Sequence, residues 1–166
     1  WSSAVKVVPQ LEPAKSTTPG TDGGYTSGHS AEATRNAVAM AYVVPERLQE
    51  MVGRGLELGE SRILAGMHSP LDVMSGRVQA QAVAAANLIA AGATTRAAAR
   101  AQAQTTLMKL TNTTPATFAN YAASGTPAND RFADYATSKA NYLRRMTYGL
   151  PLIGRATAPA VVPKGA

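Results

Sequence analysis

Apolar positions recur every three or four residues from Ser30 onward, and no stretch alternates with the two-residue period of a half-buried strand. "SAEATRNAVAMAYVV" predicts a first helix, with Glu32 in its opening turn and Pro45 after its end. Pro45 sits at a plausible first position of a second helix running to Met67. Its Leu48, Met51, Val52, Leu56, Ile63 and Leu64 fall on one side. Pro70 opens a third helix that Gly92 ends. Thr94 or Thr95 then caps a fourth over Arg96 to Leu110, with Ala on one face and Arg or Gln on the other. "ATFANYAA" predicts a short helix. "ANDRFADYATSKANYLRRMTYG" predicts a last one, with Phe132, Tyr135 and Tyr142 as core.

The flanks differ. Residues 1–28 hold Pro9, Pro13, Pro19, Gly20, Gly23, Gly24 and Gly28, and read as a long irregular loop. From Leu150 the chain carries Pro151, Pro159 and Pro163 and reads as an irregular tail. The expectation is an all-α helical bundle, one helical domain over residues 1–166, forming the C-terminal part of a larger domain. The first residue is Trp1 and no signal peptide is visible, so the start reads as a cut.

Composition narrows the picture. The 166 residues suffice for one domain with a real core. Only nine residues are aromatic and many are Ala, which suits closely packed helices. Without cysteine there is neither disulfide nor thiolate ligand, and the compartment stays open. The most apolar stretch, Gln79 to Ala93, is too short to span a bilayer. A net charge of +6 comes from 16 scattered Lys and Arg with no basic run, which argues against nucleic acid and fits an anionic small substrate.

Chemistry concentrates at the only two histidines. "TSGH" places Ser27, Gly28 and His29 just ahead of the first helix; "SRILAGMHSPLD" holds Ser61, Arg62, His68 and Asp72. Arg62 is a permanent, fork-shaped cation suited to a phosphate. Asp72, four residues after His68 across a helix junction, can accept the proton of one ring nitrogen and leave the other lone pair free for nucleophilic attack. Each piece alone has a plainer reading. Ser27-Gly28-His29 is also a turn with a helix cap, and His68 and Asp72 are also helix ends stabilised by the dipole.

Together these residues resemble the type 2 phosphatidic acid phosphatase superfamily, which includes bacterial class A nonspecific acid phosphatases and vanadium-dependent haloperoxidases. Its second motif, Pro-Ser-Gly-His, reads Thr26-Ser27-Gly28-His29. Its third, Ser-Arg, five residues, His, three residues, Asp, is matched by Ser61, Arg62, His68 and Asp72 without a gap. The 31 residues between His29 and Ser61 suit the helix-loop-helix that joins the motifs. The match is firmest from Gly23 to Val78.

The resemblance implies a phosphatase of phosphate monoesters. His68 would attack phosphorus, Asp72 would orient His68, and His29 would act as general acid and then base. Arg62, Ser27, Ser61 and the Gly28 N–H would bind the phosphate oxygens. It implies no metal and no required cofactor, with vanadate as an inhibitor. Substrates would be small phosphate esters or lipid phosphates, and the location periplasmic or secreted. One alternative is a vanadium haloperoxidase, with vanadate as cofactor ligated by His68. Another is a non-catalytic remnant or subunit.

The family's first motif, Lys, six residues, Arg-Pro, has no counterpart. Lys6 is followed seven residues later by Pro13 and Lys15 by Asp22, and no Arg-Pro occurs. The expectation is that an upstream fragment or a second chain supplies those cations. Elsewhere the plain readings prevail. Arg35, Arg47, Arg54 and Arg77 serve solvated faces, Tyr121, Tyr135 and Tyr142 serve the core, and Met40, Met51, Met67 and Met74 fill it. The sequon Asn112-Thr113-Thr114 is set aside.

Overall fold

The computed structural model describes residues 6–151 apart from Pro19 and Asp22, together with Ile153. The irregular tail expected from Leu150 onward therefore lies almost wholly outside the described residues, as does Trp1. Six α-helices follow one another: α1 (Gly28–Val43), α2 (Leu48–Leu64), α3 (Pro70–Ala90), α4 (Gly92–Thr111), α5 (Phe118–Ala122) and α6 (Tyr135–Thr147). Short 3₁₀ turns cover Pro9–Ala14 and Pro45–Arg47. No strand occurs among the described residues, and the fold is all-α. Nor is any helix among them long and apolar enough to cross a membrane.

Helix α1 is the hub, packed along both α2 and α3, which meet each other only slightly. Small residues make this possible. A Cβ on Gly55 would stand 3.0 Å from the Ala37 Cβ, and one on Gly59 3.2 Å from the Ser30 Oγ. At Gly76 it would stand 2.5 Å from the Ser27 carbonyl oxygen, where neither backbone can yield. Within α1, α2 and α3 the buried apolar set is correspondingly slight: Ala37, Ala41, Leu56, Val73, Ala80 and Ala84, with Ser27 and Ser30 completely enclosed among them. Short side chains exchange buried area per residue for close backbone approach.

Several expectations change. Helix α1 begins at Gly28 rather than Ser30 because the Ser27 hydroxyl caps it, which puts Glu32 beyond the first turn. Helix α4 begins at Gly92, a left-handed residue with φ 75°, and has no side-chain cap; Thr94 and Thr95 lie inside it. The N-terminal loop contains the Pro9–Ala14 turn. Phe132 is half-buried, while Tyr135 and Tyr142 are 64% and 44% exposed, so the expected aromatic core is absent there. Helix α6 stands off α2, and these rings line an open cavity of about 500 Å³ between them. Tyr121 and Met40 are exposed as well. Arg77, read as solvated, is buried, and Arg47 is tied to Asp130 and the Ala122 carbonyl.

Candidate active site

The two motif segments meet through their backbones. Ser27 N–H donates to the Asp72 carbonyl at 3.0 Å, joining the residue two before His29 to the residue four after His68. A second tie lies one step away, where the Thr26 hydroxyl donates to Gln79 Oε1 at 2.8 Å. Gly76 permits both, because any side chain there would strike the Ser27 carbonyl. Both histidines therefore flank a single α1–α3 contact.

On the α1 side, the Ser27 side chain is fully buried. Its Oγ accepts from the Ser30 N–H at 3.3 Å and from the Ser30 hydroxyl at 2.9 Å. Its hydroxyl thus serves the helix, and the oxyanion-binding capacity of this end rests on the N–H groups of Gly28 and His29. Those two, the first of α1, have no partner among the described residues. His29 is exposed at the second helical position.

On the other side, α2 ends at Leu64 and the chain turns through Gly66, at φ 73°, to α3. The Arg62 carbonyl accepts from the N–H groups of Met67 at 3.0 Å and His68 at 3.2 Å, folding the turn back on itself. The N-terminal segment lies against it. Val8 N–H donates to the Ala65 carbonyl at 3.2 Å, and the Lys6 carbonyl fills the space a Gly66 side chain would need. The Arg62 Nε donates to the Ser61 Oγ at 3.3 Å, and Ser61 donates to the Leu58 carbonyl at 2.6 Å. Among the described residues Arg62 makes no ion pair, so its charge is available to an anion.

Asp72 does two things. With Ser69 it forms a capping box: Asp72 N–H donates to Ser69 Oγ at 3.2 Å and Ser69 N–H donates to Asp72 Oδ2 at 2.9 Å. The same Oδ2 lies 3.6 Å from His68 Nδ1, an ion-pair distance but longer than a hydrogen bond. Among the described residues that nitrogen is buried with no hydrogen-bond partner. The capped carboxylate thus faces one ring nitrogen of His68 from just beyond hydrogen-bond reach.

Sequence reasoning missed Ser69, although Ser-x-x-Asp is a readable capping signature. It also missed Ser30, whose buried hydroxyl closes the α1 cap. Among the described residues no group of three or more His, Cys, Asp or Glu is gathered as a metal site.

Residues 4–96 match the family model of the PAP2 superfamily. Over 56 residues the chain is 46% identical to a non-specific acid phosphatase of Salmonella typhi, covering 34% of this chain and 22% of that relative. A non-specific acid phosphatase of Salmonella typhimurium is 45% identical over 56 residues, with the same two shares. One of Providencia stuartii is 36% identical over 64 residues, covering 39% of this chain and 26% of the relative. The chain thus spans only about a quarter of the length of the curated relatives it matches. No solved structure matches it. With the family's stretch running over more than half of its residues and ending just inside α4, the chain belongs to the PAP2 superfamily.

Proposed function

We propose that the chain carries the nucleophile half of a phosphatase that hydrolyses phosphate monoesters through a phosphohistidine. The carrying observation is the Ser27–Asp72 backbone contact, which joins the segment bearing His29 to the segment bearing His68 and so supports the reading. The names of the relatives, non-specific acid phosphatases, agree with it.

In the first step a lone pair of His68 Nε2 forms the N–P bond as the P–O bond to the alcohol breaks, and His29 gives its proton to the departing oxygen. In the second, His29 takes a proton from water, whose oxygen bonds to phosphorus while the N–P bond breaks and inorganic phosphate leaves. Arg62 and the N–H groups of Gly28 and His29 meet the charge on the phosphoryl oxygens, and Ser61 steadies Arg62. Asp72 balances the positive charge that His68 acquires. No metal enters either step, and vanadate acts as an inhibitor by taking the trigonal-bipyramidal geometry of the transition state. Arg62 as sole cation would hold a dianion weakly, so the Lys and Arg of the first motif come from another stretch of polypeptide.

Hydrolysis of an aryl phosphate, with and without vanadate, by the protein and its His68→Ala variant tests the reading. The expected result is vanadate-sensitive turnover that falls at least about 10³-fold in the variant. A phosphorylated histidine should be trapped on acid-free quenching of the unaltered protein. Turnover that survives His68→Ala would overturn the phosphohistidine, and halide oxidation with bound vanadate would replace the phosphatase by a haloperoxidase.

A further inference from the structure

Helix α2 carries Arg62 and helix α3 carries Asp72, yet the two touch each other little. Their relative placement at the site end depends on what bridges them. Helix α1 is one bridge. The last turn of α6 is a second, and it is made of charge.

Glu60, two residues before Arg62, is buried in α2. Arg144 of α6 grips both of its carboxylate oxygens, with Nη2 at 2.9 Å from Oε2 and Nη1 on Oε1, and Arg145 Nε donates to Oε2 at 2.8 Å. The Arg144 hydrogen bonds, followed by those of Arg145, hold the Glu60 carboxyl below the usual carboxylate range against the opposing effect of burial. From the other side Arg77, five residues after Asp72 on α3, reaches the end of the same turn. Its Nη1 donates to the Arg145 carbonyl at 2.9 Å and its Nη2 to the Met146 carbonyl at 3.1 Å. A guanidinium there satisfies carbonyls that a helix end leaves unpaired and complements the dipole. A continuous chain of hydrogen bonds therefore runs from α2 through Glu60, Arg145 and Arg77 to α3.

Such a cluster is a poor device for stability alone. Desolvating a carboxylate and two guanidinium groups offsets most of what their attraction returns, and the best-attested use of buried charge is to fix one arrangement over its neighbours. Where the open cavity between α2 and α6 interrupts their packing, three guanidinium groups with directional forks specify the register. Arg144 and Arg145 also lie beyond residue 96, where the family match ends.

We infer that Glu60, Arg77, Arg144 and Arg145 are positioning residues, a strut through α6 that sets the distance between the Arg62 head and the His68–Asp72 pair. The kinetic part of this inference rests on the phosphatase reading; the spectroscopic part does not. Arg145→Lys keeps the charge and removes the fork, so it alters geometry while leaving the field in place. In a folded Arg145→Lys protein, kcat for an aryl phosphate should fall about tenfold or more with a smaller change in KM, as expected when bound phosphate and nucleophile lose alignment. The ring ¹⁵N and ¹H resonances of His68, separated from those of His29 by a His29→Ala variant, should move in the same protein. Glu60→Gln is the second variant, expected to act in the same direction on both readouts. Unchanged His68 resonances and kcat in both variants overturn the strut. If the unaltered protein shows no hydrolysis, the phosphatase reading fails by itself, and the resonances still decide the strut: movement supports it, identity with the unaltered protein overturns it.

Discussion

Two regions of this molecule are held together by opposite means. Helices α1, α2 and α3 meet through Gly55, Gly59 and Gly76 against Ala37, Ser30 and the Ser27 backbone. Helix α4 buries none of its residues, and α6 buries only Arg145. The later region buries Phe118 and Ala122 and sets the Phe132 ring against Gly53, and is otherwise attached by hydrogen bonds and ion pairs of long side chains. Arg96 bonds to the Leu88 carbonyl and to the Tyr42 hydroxyl at 3.2 Å, Gln104 reaches Glu46 at 3.3 Å, and Arg131 pairs with Glu57. Backbone-to-backbone packing has no slack and suits a site that needs its groups fixed. Attachment through charge is adjustable and answers to pH and salt.

The sharpest way to break the contrast is Gly76→Ala. The new methyl would meet the Ser27 carbonyl oxygen at 2.5 Å, with both partners held by helices. The expected cost is at least about 3 kcal/mol, read as a lower thermal midpoint, with hydrolysis lost in whatever remains folded because the Ser27–Asp72 contact opens. A variant with unaltered activity would show that this corner has slack after all.

Next in size is Glu60→Gln, expected to cost about 2 kcal/mol. That is less than a fully buried pair loses, because Arg144 stays half in solvent. The same group gives the later region its pH dependence. A carboxyl depressed below its ordinary value of 4.5 contributes stability above that value and loses it as pH falls through the lower, folded one. Hydrogen-exchange protection factors of α6 amides should therefore fall in the acid limb below about pH 4.5, while those of α1 hold. In Glu60→Gln this differential acid response should vanish.

Smaller still is Arg47→Ala, which frees Asp130 and the Ala122 carbonyl and undocks the loop before α6. About 1 kcal/mol is expected in dilute buffer and less in 1 M salt, by denaturant unfolding at both ionic strengths. The contribution of Arg47 holds the Asp130 carboxyl below the carboxylate range, so the difference should also shrink in acid. At the bottom stands Ile89→Ser near the end of α3, where the side chain is 76% exposed. Less than about 0.5 kcal/mol and no change in turnover are expected.

The chain's own letters carried much of this. Helices α1 to α3 are readable because Pro45 separates α1 from α2, Pro70 opens α3 and the apolar period runs between. The candidate site residues stand out because His29, Arg62, His68 and Asp72 fall at the spacing of the family's motifs. The capping box was readable too, since Ser69 and Asp72 are local partners. The aromatic residues of the last helix misled. Phe132, Tyr135 and Tyr142 resemble a core, and nothing local reports that α6 stands away from α2 with a cavity of about 500 Å³ between.

The sequence by itself determined the helical class and the order of the first three helices, and it singled out the candidate residues of the site. Those depend on neighbours within about four residues, where backbone geometry fixes which side chains meet. Tertiary structure alone decided that Ser27 turns its hydroxyl inward to cap α1, that His68 Nδ1 faces a carboxylate already committed to Ser69, and that Arg77 crosses to the carbonyls of Arg145 and Met146. Contacts spanning 68 or 69 residues leave no local pattern, because an arginine on a helix face looks the same in sequence whether water or a distant helix end receives it.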